Sequence, residues 1–473
     1  MPDRQTKRAC DRCHAVKEKC RWIDAQETCD RCLRLRFVCH THRPLATVGR
    51  KPRHHPTKTI PKRKIHQPPS ESNSTSSSTS FDVHTTPPYI ANGKVISISR
   101  TLSIFIDLDT CEKHLLDTIL HGETRIEQFL VGPSFVKCHQ RVFLKYLGMA
   151  TPLLKDALLA STALIACDHD DLPISRNRQI GHKRAASAIS ALRSLSLFHP
   201  DDVSAVLIFA ALMVTFALHI SGTAFPICRH TLDLVKPFYE SSAELDSDGL
   251  AFLLCLIHSE TLECLLRCEI PTIRFRVQRD DLVVDRYMGI TSPLLPHFYD
   301  ICKISHALRY CKTNISPRTL EALEDVEIKV NQWKPTLPEH FITCFTPAEV
   351  VSMLAQAKVH RWTILLISHR LRHAYGTETS KGFAISDAIL EELYLTVRLT
   401  RRSVPCVEIA FVVACFEITD PEKRKVALDM TENIIGFSKQ LQIRTRSLIT
   451  SFWATWNVHN QLHWYNVDLC LPQ

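Results

Sequence analysis

The chemistry most plainly written in this chain lies in six cysteines. Residues 10–20 read CDRCHAVKEKC and residues 29–39 read CDRCLRLRFVC. Both follow C-x2-C-x6-C, open on the same four letters and enclose six Lys/Arg between them. C-x2-C sets two sulfurs on one tetrahedral metal ion, and a third cysteine seven residues past each pair closes a loop. MPDRQTKRAC has no apolar stretch that would read as a secretory signal, so a reducing compartment is expected. The clustered thiols therefore read as metal ligands; a small oxidised knot is the alternative. One four-cysteine site leaves two sulfurs over. Two zinc ions sharing two bridging sulfurs use all six, each ion four-coordinate, with an excess of negative charge that nearby Arg and Lys partly offset. This arithmetic favours a binuclear cluster without excluding a single site. His14 and His40 are not needed as ligands.

A segment this short cannot fold on apolar burial alone. Its apolar residues are Val16, Trp22, Ile23, Leu33, Leu35, Phe37 and Val38. Metal ligation can supply the deficit, roughly 10–16 kcal/mol in zinc-finger peptides. Each C-x2-C is predicted to open a short helix. Asp11 and Asp30 then sit in first turns, where the helix dipole favours negative charge and thiolate over thiol.

Cys10-x2-Cys13-x6-Cys20-x8-Cys29-x2-Cys32-x6-Cys39 resembles the fungal zinc binuclear cluster (Zn2Cys6) of transcription factors over about thirty residues. The resemblance implies two zinc ions, with Cys10 and Cys29 as bridging sulfurs. Cys13 and Cys20 would complete one site, Cys32 and Cys39 the other. It also implies that the end of the first helix enters the major groove of double-stranded DNA over CGG-like half-sites. Lys17 matches the base-reading position and suits guanine O6 and N7. Lys19 is expected at phosphate, as are Arg8, Arg12 and Arg34. The chain departs from the family at His14 and Val16, which stand where Arg or Lys is common, at the acid Glu18, and in RWIDAQET, which has no proline.

The elements that must position these residues show a divided chain. Of its 473 residues, 1–64 hold 18 Lys+Arg against 6 Asp+Glu, and the remainder 40 against 43. A basic head on a near-neutral body points to a nucleic-acid partner for the head. Residues 1–43 are read as the cysteine module. GRKPRHHPTKTIPKRK and SESNSTSSSTS make 44–95 a disordered basic and Ser/Thr-rich linker. Within it PKRK fits a nuclear-import signal, and GRKPR could track phosphates or a minor groove. From 96 to 473 helical spacing dominates, at 151–167, 249–268, 317–333, 347–373 and 386–403. Asp420-Pro421-Glu422 marks another helix start. VISIS at 95–99 is the best of few strand patterns. The expected fold is thus a small zinc-cluster module and a large all-α regulatory domain joined by a linker.

Residues 203–220, VSAVLIFAALMVTFALHI, approach the length of a membrane span. Without flanking Lys/Arg they read as a buried core helix, so no membrane partner is expected. His369 and His373 lie four apart without a third ligand in register and read as a surface or capping pair. Cys255, Cys264 and Cys268 read as buried small residues. No Walker loop, G-x-S-x-G or G-x-G-x-x-G is present, so no enzyme is expected. No heptads follow the cysteines, so a homodimer would have to form through the body; otherwise a monomer takes one half-site.

HRWTILLISHRLRHAYG, ACFEITDPEKRKVAL and SFWATWNVHNQLHWY resemble parts of the helical regulatory region found behind fungal zinc clusters. The resemblances imply a nuclear, zinc-dependent regulator of RNA polymerase II transcription that engages the transcription machinery, of a layout common among regulators of secondary-metabolite gene clusters. Two other readings stand beside it: a zinc module that binds protein, and a zinc module attached to an enzymatic or membrane-associated helical domain.

Overall fold

The computed structural model describes residues 9–11, 13, 19–22, 28–35 and 39–41 and, with short gaps, 107–471. These fall into two compact units divided between residues 84 and 85. The proposed linker at 44–95 and the VISIS strand lie outside the described residues. Within the described residues there are no strands, only an isolated antiparallel bridge between Asp285 and Gly289.

In the larger unit, several long helices begin where the sequence offers a cap. Asp420 accepts from the Lys423 backbone N–H and Pro421 opens the Pro421–Ile434 helix, as the sequence implied. Thr346 and Glu349 form a reciprocal capping box at the head of Pro347–Arg372. Glu349 also accepts from the Ser134 backbone N–H and hydroxyl, both at 2.8 Å, and so joins segments 215 residues apart. Gly132 lies so close to Glu349 that a Cβ there has no room.

The helix over 203–220 exists as Val203–Ser221 and is buried along most of its length. Its neighbours are Thr151–His169, Phe225–Glu240, Ser247–Arg267 and Lys439–Val458. Such all-round burial explains why its apolar residues show no single face. Asp246 caps the Ser247–Arg267 helix through the Gly249 N–H at 2.7 Å and accepts from Tyr146 and Ser204 at 2.7 and 2.9 Å. These bonds fix how the first helices of the body meet.

Two large apolar cores result. The first is built from helices up to 267 and the segment through Leu295; the second takes residues from Cys264 to the C-terminal turn. The three body stretches quoted above converge in the second. Arg370, fully buried, makes a two-pronged ion pair with Glu417, both bonds at 2.6 Å, and donates to the Ala374 and Thr377 carbonyls. Phe416 stacks on Phe452 with ring centroids 3.7 Å apart. The Trp453 indole donates to the Cys415 carbonyl at 2.9 Å.

Candidate metal centre

The N-terminal unit is built around sulfur. Cys10, Cys13, Cys29 and Cys32 are fully buried, and Cys20, Cys39 and Trp22 pack against them. Leu33 and Leu35, counted above among the module's few apolar residues, point away and remain about half exposed. Among the described residues of this unit apolar burial is scarce; Val16, Ile23, Phe37 and Val38 lie outside them.

The second C-x2-C does open a helix, Asp30–Arg34, with Cys29 as its N-cap and Asp30 in the first turn. Asp11 and Cys13 are helical in the first repeat. The backbone then treats both repeats alike. The Cys13 N–H donates to the Cys10 sulfur and the Cys32 N–H to the Cys29 sulfur, each at 3.4 Å. The Cys10 N–H donates to the Cys20 sulfur at 3.3 Å, and the Cys29 N–H to the Cys39 sulfur at 3.4 Å. The repeats are also laced crosswise. The Asp11 N–H donates to the His40 carbonyl at 2.8 Å, and the Asp30 N–H to the Arg21 carbonyl at 2.9 Å. Corresponding positions of the two repeats make corresponding bonds, as the duplicated sequence leads one to expect.

All six cysteines come together. They form two groups of four, Cys10/Cys13/Cys20/Cys29 and Cys10/Cys29/Cys32/Cys39, with the sulfurs of each group within 4.8 Å of one another. Cys10 and Cys29 belong to both. Their sulfurs are 3.8 Å apart, Cys13–Cys29 is also 3.8 Å, and Cys10–Cys32 is 3.7 Å. A tetrahedron of sulfurs at about 2.3 Å from a central zinc has edges of about 3.8 Å. The donor set therefore fits a tetrahedral, thiolate-binding metal such as zinc. Among the described residues, no other group of His, Cys, Asp and Glu is placed to hold an ion.

Packed this closely, the thiols share protons unequally. Burial pushes the Cys10 thiol up, but hydrogen bonds from the Cys13 backbone and from the Cys13, Cys32 and Cys29 thiols overcome it and bring Cys10 down to about 6. Cys29 is lowered in the same way, against burial, chiefly by the Cys32 backbone and thiol. Burial and proton sharing raise Cys13, Cys32 and Cys39, and push Cys20 up to about 12. Thiols this close share protons; a metal ion between them would ionise the set. Arg31, which spacing alone had not singled out, lies against the Cys13 sulfur and favours its thiolate.

Of the basic residues expected at DNA, Lys19 and Arg34 are exposed. Lys17, Arg8 and Arg12 lie outside the described residues. In the body, the His369/His373 expectation needs correcting. The rings are 4.8 Å apart, but His369 is buried, with Nε2 3.0 Å from the Glu378 carbonyl, because its helix packs on both sides. His373 is the helix C-cap, as one form of that expectation had it. Cys264 and Cys268 are buried, as expected, and Cys255 is half-buried.

No family model, no curated protein and no solved structure matches this chain.

Proposed function

We propose that the chain is a zinc-dependent, sequence-specific DNA-binding regulator of RNA polymerase II transcription that acts in the nucleus. The observation that carries this reading is the sharing of Cys10 and Cys29 between two four-sulfur groups of tetrahedral spacing. Two zinc ions would be held, one by Cys10, Cys29, Cys13 and Cys20, the other by Cys10, Cys29, Cys32 and Cys39. Bound zinc supplies cross-links that replace an apolar core and carries no reaction. Around it the chain presents Lys19 and Arg34 to solvent, within a segment rich in Lys and Arg. Lys17 would read base edges and the others would neutralise phosphates. The resemblance of the body segments supports the further proposal that the helical unit regulates a pathway-specific gene set, such as a secondary-metabolite cluster.

A gel-shift series tests the reading. Wild type is expected to lose affinity steeply as salt rises, because each neutralised phosphate releases counterions. Lys17→Ala is expected to lose about 1–3 kcal/mol of discrimination between the preferred and a mismatched triplet. Binding that ignores salt would favour the second reading, in which the module docks on protein. The exposed Leu33 and Leu35 supply the apolar surface for that reading.

A further inference from the structure

The seam between the two cores of the helical body holds a cavity of about 180 Å³. Most of its wall is apolar, with Phe252 and Tyr287 from the first core and Val412 and Leu448 from the second. For scale, an apolar cavity of about 150 Å³ takes a single benzene ring. Ligand sites favour such seams, and they combine an apolar wall with a few placed polar groups.

Three polar side chains face this space without partners to match. His258 is 4% exposed, and its buried Nε2 has no hydrogen-bond partner among the described residues; the same holds for the Gln128 Oε1. Glu408 is enclosed by protein yet keeps accessible surface, as do Cys255 and Cys406, which also line the cavity. Among the described residues the Glu408 carboxyl is helped by its own backbone N–H and by no cationic side chain. The other charged groups on the wall, Glu263 and Arg444, are already paired with each other, the Nη2–Oε2 bond being 2.9 Å. An unpaired carboxylate in apolar surroundings is costly, and a bound cation would relieve it.

We propose that this cavity binds a small, mainly apolar molecule of about one aromatic ring that carries an ammonium head paired with Glu408. His258 and Gln128 offer further hydrogen bonds from the cavity wall. The site belongs to the helical body alone and stands whether or not the N-terminal unit binds DNA.

The test uses the full-length protein and three probes of similar shape: 2-phenylethylamine, ethylbenzene and 3-phenylpropanoate. Binding is read by calorimetric titration and by ligand-observed NMR. The amine is expected to bind at least tenfold more tightly than ethylbenzene, and the carboxylate not at all. Glu408→Gln keeps the side chain's shape and is expected to weaken the amine at least tenfold while leaving ethylbenzene unchanged. Cys255→Phe, which fills part of the cavity from another helix, is expected to abolish both. A melting curve for each variant establishes that it is folded. Failure of both amine and ethylbenzene to bind wild type would mark the cavity as a water-filled void and overturn the proposal. Equal binding of the amine by wild type and Glu408→Gln would overturn the role of the carboxyl.

Discussion

The two units of this chain solve the same problem by opposite means. The N-terminal unit has a core of sulfur with Trp22 against it, and leaves Leu33 and Leu35 outside. The helical body buries two extended apolar cores and sets polar groups among them as caps and as buried pairs such as Arg370–Glu417 and Glu263–Arg444. A short segment rich in charge has too little apolar surface to offset the entropy of folding. A metal centre held by the six cysteines would remove that limit and leave the outer surface free for Lys and Arg. The body needs no such aid, and the cysteines it buries are ordinary small apolar residues.

Chelation is expected to separate the two units most sharply. Stripping metal with a strong chelator is expected to unfold the N-terminal unit, which loses roughly 10–16 kcal/mol of ligation free energy, while the body melts as before. Circular dichroism melting with and without chelator checks both halves of the statement. Next in size is the reverse experiment. Arg370→Met leaves Glu417 buried and unpaired, and should destabilise the body by about 3–5 kcal/mol without changing metal content. The double variant Arg370→Met, Glu417→Leu should recover most of that loss, as denaturant titration would show.

A weaker effect is expected at Glu408 in the body. Burial pushes Glu408 from 4.5 to about 6. The folded state then binds the proton more tightly than the unfolded state, so this group favours folding less as pH rises from about 4.5 to about 6. Wild type should lose on the order of 2 kcal/mol across that window relative to Glu408→Gln. Parallel denaturation curves of the two proteins at pH 4.5 and pH 7 isolate the difference.

Local chemistry was legible in the sequence, and long-range pairing was not. The cysteine spacing named all six ligand candidates because C-x2-C and its loop act within a few residues. Asp420, Pro421 and Glu422 marked a helix start for the same reason. Boundaries read from apolar periodicity drifted. The segment expected at 386–403 is Thr379–Thr400, because Arg401 turns into the left-handed region at φ 58° and stops it. Ser247–Arg267 ends in the same way at Cys268, with φ 54°. Nothing local marks Arg370 as the partner of Glu417, or the Asp11 N–H as the donor to His40. Glu408 has no motif at all; only the fold places it on a cavity wall.

The proposed sharing of two sulfurs between two metal ions is tested most directly by the metal content of the purified full-length protein. Native mass spectrometry with elemental analysis should find two zinc ions per chain and no reactive thiol among the six cysteines, and Cys10→Ser should disturb both ions together. One zinc ion with two freely alkylated cysteines, or none at all, would contradict the account.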